Sequence, residues 1–168
     1  MEKNLRSLLD RVKSGSYVAP LVKRVYRPKP DGKEQRPIGR PTIENKVLER
    51  AVVMLLEPIY EQEFKYFSYG FRPGRSAQEA LACLWSQCTT QGIKWILDVD
   101  VRKCFDTIKH EPLGALLDLR VRDGVLRRLI GKWLKAGVLD RGRVSYPAEG
   151  TPQGGVMTPR TQWITSSF

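Results

Sequence analysis

The sequence has few of the residues on which metal and disulfide sites are built. Its three cysteines, Cys83, Cys88 and Cys104, include no Cys-x-x-Cys pair. That number and spacing favour reduced, packed thiols over a disulfide framework or a zinc site. His110 is the one histidine. A Ser-His-Asp triad or a histidine metal site would depend on it alone, so we expect a structural or capping role for it.

Patterns that define several other classes of protein are also missing. No run approaches the ~18 apolar residues of a membrane span, and the N-terminus, Met-Glu-Lys-Asn-Leu-Arg, has no apolar signal segment. We therefore expect a cytoplasmic protein that does not enter a membrane. The chain has neither a Gly-x-Gly-x-x-Gly segment nor a glycine-rich loop ending in Gly-Lys-Ser/Thr. Rossmann and P-loop interpretations both fail for that reason.

Acidic residues are outnumbered by basic ones. The 168 residues include 29 Lys and Arg against 18 Asp and Glu, which gives a net charge of +11. This balance favours a polyanionic partner, with nucleic acid first, over a basic protein that meets only water. Hydrophobic residues make up 41% of the chain, enough for the core of one domain or of one and a half.

Turn residues and apolar spacing predict two hairpins and a capped helix in an α+β chain. The first hairpin joins strands at 21–26 and 36–38 through a Pro-Asp-Gly turn, and the second occupies 138–146. Thr42 is predicted to cap a helix whose buried side is formed by Val47, Ala51 and Leu55 and which breaks or kinks at Pro58.

Four further helices are predicted from buried stripes and end signals. The first has a stripe of Leu5, Leu8, Leu9 and Val12 and stops at Gly15. The next begins with the capping-box spacing of Ser76 and Glu79 and has a stripe of Leu81, Leu84, Trp85 and Cys88. The last two, expected to pack together, have Pro112 in the first turn of one helix and Asp123 as the cap of the other. Their predicted buried residues are Leu113, Leu116, Leu117, Leu126, Leu129, Ile130 and Trp133.

Residues 95–106, Trp-Ile-Leu-Asp-Val-Asp-Val-Arg-Lys-Cys-Phe-Asp, set three carboxylates into a strand-forming run. In a strand, Asp98 and Asp100 would share one face, and the opposite face would be apolar. Asp is depleted in strands and like charges so close repel, so a bound cation would relieve the repulsion. We therefore predict that the chemistry lies here. A two-metal nuclease built on Asp98, Asp100 and Asp106 is one alternative.

Cations gather in two turn-rich segments. Lys29, Lys33 and Arg36 cluster at the tip of the first hairpin, where they could grip a triphosphate or a nucleic-acid backbone. Arg72 and Arg75 lie in a turn-rich segment that also contains aromatic residues, a mixture that suits contact with ribose, base or phosphate. The alternative for this second segment is a loop pinned by its aromatics.

Five segments together resemble the bacterial group II intron reverse transcriptases and maturases. In order they are Pro28-Lys29-Pro30-Asp31-Gly32-Lys33, Arg36-Pro37-Ile38-Gly39, Ser68-Tyr69-Gly70-Phe71-Arg72-Pro73-Gly74-Arg75-Ser76, Asp100-Val101-Arg102-Lys103-Cys104-Phe105-Asp106 and Gly150-Thr151-Pro152-Gln153-Gly154-Gly155. The resemblance implies a right-hand polymerase fold, of which this chain has the fingers and a partial palm. The fingers would take residues 1–90 and 111–150, the acidic palm strand 91–110, and the return to the palm 151–168.

The resemblance also implies roles for individual residues. Asp100, with the aromatic Phe105 five positions later, matches the metal-binding aspartate, and Asp106 matches the second acidic position. Phe105 would be the steric gate that excludes a ribose 2′-hydroxyl. The remaining nucleotide-binding matches are Lys29 and Arg36 at the fingertip, which hold the triphosphate, and Gln153 and Gly154 in the loop beneath the incoming nucleotide.

The implied cofactor is Mg²⁺ in a two-ion site. The implied partners are an RNA template or intron RNA, a DNA primer and deoxynucleotide triphosphates. Lys33, Arg72 and Arg75 would contact the nucleic acid.

The sequence departs from the family after Gly155-Val156-Met157-Thr158-Pro159. The family continues with an apolar helix and a Tyr-x-Asp-Asp hairpin, whereas this chain reads Arg-Thr-Gln-Trp-Ile-Thr-Ser-Ser-Phe. The second carboxylate pair is thus missing from the 168 residues, and the fold is expected to be truncated before that hairpin. We expect a reverse transcriptase fragment that is inactive alone. The alternative is a non-catalytic module whose basic fingers bind intron RNA.

Overall fold

The computed structural model describes residues 2–28, 32, 34–101 and 104–151. Within these ranges the chain forms five α-helices and four β-strands. In order they are α1 (Glu2–Lys13), β1 (Val22–Pro28), β2 (Gln35–Arg40), α2 (Ile43–Glu61), α3 (Ala77–Gln91), α4 (His110–Arg120), α5 (Gly124–Leu134), β3 (Val138–Asp140) and β4 (Arg143–Ser145), with a 3-10 turn at Cys104–Asp106 before α4. None of the helices in the described ranges is long and apolar enough to cross a membrane.

The strands form one sheet in the order β2-β1-β3-β4. Both predicted hairpins are confirmed, because β1 pairs antiparallel with β2 and β3 pairs antiparallel with β4. The second hairpin turns through Arg141 and Gly142, whose φ angles of 47° and 82° suit a tight two-residue turn. A parallel pairing of β1 with β3 joins the two hairpins across more than half of the chain.

The core lies among α1, α2, α4 and α5, beside the sheet. The predicted packing of α4 against α5 is confirmed, since Leu113, Leu117, Leu129, Ile130 and Trp133 are all buried there. Tyr60 from α2 is completely buried, and this burial raises the pKa of Tyr60 to about 12. The hydroxyl of Tyr60 therefore stays neutral at any pH at which the fold is expected to work.

The start of α2 is as predicted, but its buried side is not. Thr42 caps the helix by accepting a hydrogen bond from the backbone N–H of Asn45. The predicted side of Val47, Ala51 and Leu55 is exposed, whereas the buried positions are Asn45, Glu49, Val52, Val53, Leu56 and Tyr60. Asn45 can belong to the buried side because its Oδ1 accepts a hydrogen bond from the buried Tyr17 hydroxyl. The helix does not break at Pro58, since α2 runs through it to Glu61, and the alternative of a kink there stays a prediction.

Helix α3 has the predicted start but not the predicted buried stripe. Ser76 and Glu79 form a complete capping box, and Gly92 ends the helix in the left-handed conformation. No residue of α3 is buried, and Trp85 of the predicted stripe is 73% exposed. The pattern predicted a partner surface that none of the described residues supplies. Local capping therefore contributes much of what holds this helix.

The acidic segment does not form the predicted strand. Residues 93–101 have no strand pairing, and Trp95 and Leu97 are 91% and 87% exposed. A strand requires a neighbour for its backbone N–H and C=O groups, and none of the described residues pairs with this segment. The alternation of apolar and acidic residues is present in the sequence, but the part of the chain that the structure describes leaves both faces open to solvent.

Candidate functional site

The acidic segment and the segment that precedes Pro152 meet in the fold. The backbone N–H of Gly150 donates to the carbonyl of Ile108 at 2.7 Å, and that of Thr151 donates to the carbonyl of Phe105 at 2.7 Å. An antiparallel bridge between Lys109 and Glu149 continues the pairing. Two of the segments that carried the family resemblance, far apart in the chain, therefore lie side by side.

Gly150 makes this junction possible. Its φ of +82° is in the region that favours glycine, and a Cβ atom added there would lie 2.7 Å from the Asp106 carbonyl oxygen. The Gly150 carbonyl is held by His110, whose Nε2 lies 2.8 Å from it. The predicted structural role of His110 is confirmed, because the side chain ties the start of α4 to the junction.

A cleft of about 300 Å³ lies between this junction and the sheet. Asp106 and Thr151 line one side, and Arg24 with its cross-strand neighbour Gly39 lines the other. The Thr151 hydroxyl is buried and has no hydrogen-bond partner among the described residues. Arg24 reaches Asp140 across the sheet, with 3.4 Å between Nη1 and Oδ2. The cleft therefore offers a carboxylate, a partly neutralised guanidinium and an unused hydroxyl.

Two of the predicted nucleotide-binding residues, Phe105 and Arg36, lie on opposite sides of the sheet. Phe105 is half-buried beside Asp106 at the junction. Arg36 is three residues from Gly39 on β2, so its side chain points to the face opposite the cleft. The structure thus does not bring Arg36 together with Asp106. The predictions for Lys29, Lys33, Gln153 and Gly154 fall outside the described residues.

The carboxylates predicted for metal binding are not gathered into a ligand set. Asp98, Asp100 and Asp106 are all exposed. Among the described residues, no group of three or more His, Cys, Asp or Glu side chains is placed to hold a metal ion. These residues therefore do not fit a divalent cation by themselves, although Asp100 could contribute one oxygen ligand to a fuller site.

The two arginines of the aromatic turn differ sharply in their surroundings. The Arg72 side chain is only 6% exposed and is bound to Glu61, with Nη2 and Oε1 2.5 Å apart. Its Nη1 also donates to the carbonyls of Lys65 and Ser68 at 3.1 and 2.6 Å. Arg75 is exposed, and its guanidinium lies 5.4 Å from the centre of the Tyr69 ring. Arg72 therefore holds the turn together, and Arg75 is the member that solvent can reach.

Sequence reasoning missed the part that the sheet plays in the site. Arg24 and Thr151 were not singled out, because their roles depend on β1 pairing in parallel with β3 and on the contact between 105–109 and 149–151. One signal was available in the sequence. The period-two alternation of β1 puts Arg24 on the face opposite to that of Lys23, Val25 and Arg27.

Taken together, these elements define an α+β protein with one small mixed sheet beside a helical core, and with two sequence motifs that are distant in the chain joined over one face of the sheet. The chain belongs to the reverse transcriptase (RNA-dependent DNA polymerase) family, whose model matches residues 27–165. The predicted family and fold class are confirmed by this match.

Several relatives support the same assignment. The chain is 37% identical over 158 residues to the group II intron-encoded protein LtrA of Lactococcus lactis subsp. cremoris, covering 94% of this chain and 26% of LtrA. It is 39% identical over 159 residues to protein YkfC of Escherichia coli (strain K12), covering 92% of this chain and 41% of YkfC. The chain thus spans less than half of the length of each of these relatives.

A solved structure has a similar fold. A chain of the partial Cas6-RT-Cas1–Cas2 complex superposes with a TM-score of 0.62 and 21% sequence identity, covering 98% of this chain and 28% of that chain. At this identity the likeness concerns the fold alone. It extends over nearly the whole sequence, and this supports the arrangement of helices and sheet described above.

Proposed function

We propose that the chain provides the fingers and the first acidic segment of a group II intron-type RNA-directed DNA polymerase. The observation that carries this proposal is the junction at which Gly150 and Thr151 bond to Ile108 and Phe105. It brings the acidic motif against the start of the Thr-Pro-Gln-Gly-Gly motif. In this scheme residues 1–90 and 111–150 are fingers, 91–110 belong to the palm, and 151–168 begin the return to it.

The proposed roles at the acidic segment follow the family pattern. Reverse transcriptases generally use divalent metal ions, and carboxylate oxygens suit Mg²⁺. Asp100 would supply one ligand, with Asp106 as a helper and Phe105 as the gate beside the nucleotide. The described residues lack the further carboxylates that such a site needs. We therefore propose that these 168 residues do not polymerise by themselves.

The proposed partners are an RNA template or intron RNA, a DNA primer and deoxynucleotide triphosphates. A second function, RNA binding without catalysis, is favoured by the net charge of +11, which does not depend on a complete metal site. The two functions are compatible, because fingers that grip RNA can do so whether or not polymerisation follows. Exposed Arg75, beside the Tyr69 ring, is a proposed contact.

Primer extension on an RNA template with Mg²⁺ tests the catalytic half of the proposal. The purified 168-residue chain is expected to give no extended product above a no-protein control. If it extends the primer, and Asp100→Ala abolishes the extension, the proposed inactivity is wrong. The same samples, assayed for RNA binding by fluorescence anisotropy, keep loss of fold separate from lack of chemistry.

A further inference from the structure

Two pairs of like-charged side chains face each other across the β1–β2 hairpin. Lys23 is directly opposite Arg40, and Arg27 is directly opposite Arg36. Strand alternation puts all four on one face, with Val25 opposite Ile38 between the pairs. We call Lys23, Arg27, Arg36 and Arg40 the cationic face. All four residues are exposed, and the face lies on the side of the sheet away from the Asp106 cleft.

The arrangement is unfavourable for the isolated protein. Like charges that lie directly opposite each other on neighbouring strands destabilise a sheet. The ion pairs found among the described residues include none of these four cations. Arg24, on the other face of the same strand, does reach an acid, Asp140. A polyanion bound to the cationic face would offset the repulsion between these four cations, which the ion pairs found among the described residues do not reduce.

The spacing of the pairs indicates the kind of anion. Lys23 and Arg27 are four residues apart on β1, which corresponds to about 13 Å at ~3.3 Å per residue. One small anion cannot contact both pairs at hydrogen-bonding distance. A chain of phosphates can, and the guanidinium groups of three of the four residues are suited to paired hydrogen bonds with phosphate oxygens.

We propose that the cationic face binds the phosphate backbone of an RNA strand. This inference rests on the proposed function, which supplies RNA as the partner, and adds the surface that holds it. The half-buried Val25 and Ile38 separate the two cation pairs without competing for phosphate. The surface includes Arg36 but is separate from the Asp106 cleft, so it requires neither a metal ion nor a nucleotide.

The test is a quadruple variant of the full chain, Lys23→Gln, Arg27→Gln, Arg36→Gln and Arg40→Gln. Its affinity for a single-stranded RNA, measured by fluorescence anisotropy from low to moderate salt, is compared with that of the unchanged chain. Four lost phosphate contacts should reduce the slope of log affinity against log salt by about 3 units, at about 0.7 per contact, and should weaken binding about tenfold or more at ~0.1 M salt. The melting temperature should not fall, because the substitutions remove repulsion.

A charge-matched control is Lys3→Gln, Lys13→Gln, Lys65→Gln and Arg122→Gln, four exposed cations outside the sheet. This control should bind RNA with nearly the slope of the unchanged chain. An equal loss in both variants would overturn the inference, since net charge alone would then explain binding.

Failure of this inference can be distinguished from failure of the proposed function. If the unchanged chain binds RNA and the quadruple variant binds it equally well, the cationic face is not the surface, while the proposed function stands. If the unchanged chain does not bind RNA at low salt, both the inference and the RNA-binding part of the proposed function are wrong.

Discussion

Arg72 and Arg75 are three residues apart in the same turn, yet they do different work. Arg72 is enclosed by Glu61, the Phe64 ring and two backbone carbonyls, whereas Arg75 faces solvent over Tyr69. From the sequence both were predicted to contact nucleic acid. The contacts of Arg72 support the alternative, in which the side chains of this segment hold the loop in place. Arg72 takes part in this, in addition to the aromatic residues.

We predict that Arg72→Lys lowers stability and that Arg75→Gln weakens RNA binding. A lysine retains the charge but lacks the forked guanidinium that bonds to Glu61 and to the carbonyls of Lys65 and Ser68. Arg72→Lys should therefore lower the free energy of unfolding by about 1–3 kcal/mol. Its RNA affinity should change little where the protein is folded. Arg75→Gln should leave stability within about 0.5 kcal/mol and weaken RNA binding.

Urea unfolding and RNA titration of the same two proteins check this prediction. The reverse pattern, in which Arg72→Lys binds RNA more weakly at unchanged stability, would assign the nucleic-acid contact to Arg72 after all.

At the scale of elements, the junction between 105–109 and 149–151 depends on one glycine. Gly142 offers a matched control, because both glycines have a φ of +82° but only Gly150 has backbone atoms within 4 Å of an added Cβ. Gly142→Ala should cost about 1–2 kcal/mol from backbone conformation alone. Gly150→Ala should cost about 1–3 kcal/mol more, because the methyl group would be forced against Asp106.

Hydrogen exchange provides a local measurement of the same effect. In Gly150→Ala the amides of residue 150 and Thr151, which bond to Ile108 and Phe105, should exchange faster, whereas in Gly142→Ala they should not. Equal costs in the two variants, with both amides still protected, would mean that the junction does not depend on the close approach at Gly150.

Element boundaries could be predicted from sequence because their signals are local. Thr42, Ser76 and Asp123 each cap a helix as expected, since the cap and its backbone partner lie within three residues. Buried faces could not always be predicted, because they depend on what packs against the element. Asn45 and Glu49 are polar residues on the buried face of α2, and apolar periodicity gives no reason to put them there.

The acidic segment marks the limit of prediction for the site. Its alternation predicted a strand, and the family pattern predicted that Asp100 is a metal ligand. Alternation says which residues share a face, but it does not say whether another strand is present to pair with that face. The exposed Trp95 and Leu97 indicate that, within the described residues, the pairing strand is not supplied.

For the whole molecule, the separation of the two surfaces of the sheet is the main finding. One face closes over the junction of the family motifs, and the other presents two repelling cation pairs to solvent. Four of the 29 Lys and Arg residues are therefore gathered on one face of the β1–β2 hairpin. Binding of RNA and catalysis would then depend on different parts of the fold.

The most direct test of this account is the salt dependence of RNA binding by the unchanged 168-residue chain, measured in the absence of divalent ions. We predict binding at low salt that weakens steeply as salt is raised, with a log-log slope of several units, as expected for several phosphate contacts. Binding should need no added Mg²⁺, because the proposed contacts join cationic side chains directly to phosphates. An affinity that does not change with salt, or no binding at low salt, would contradict the account.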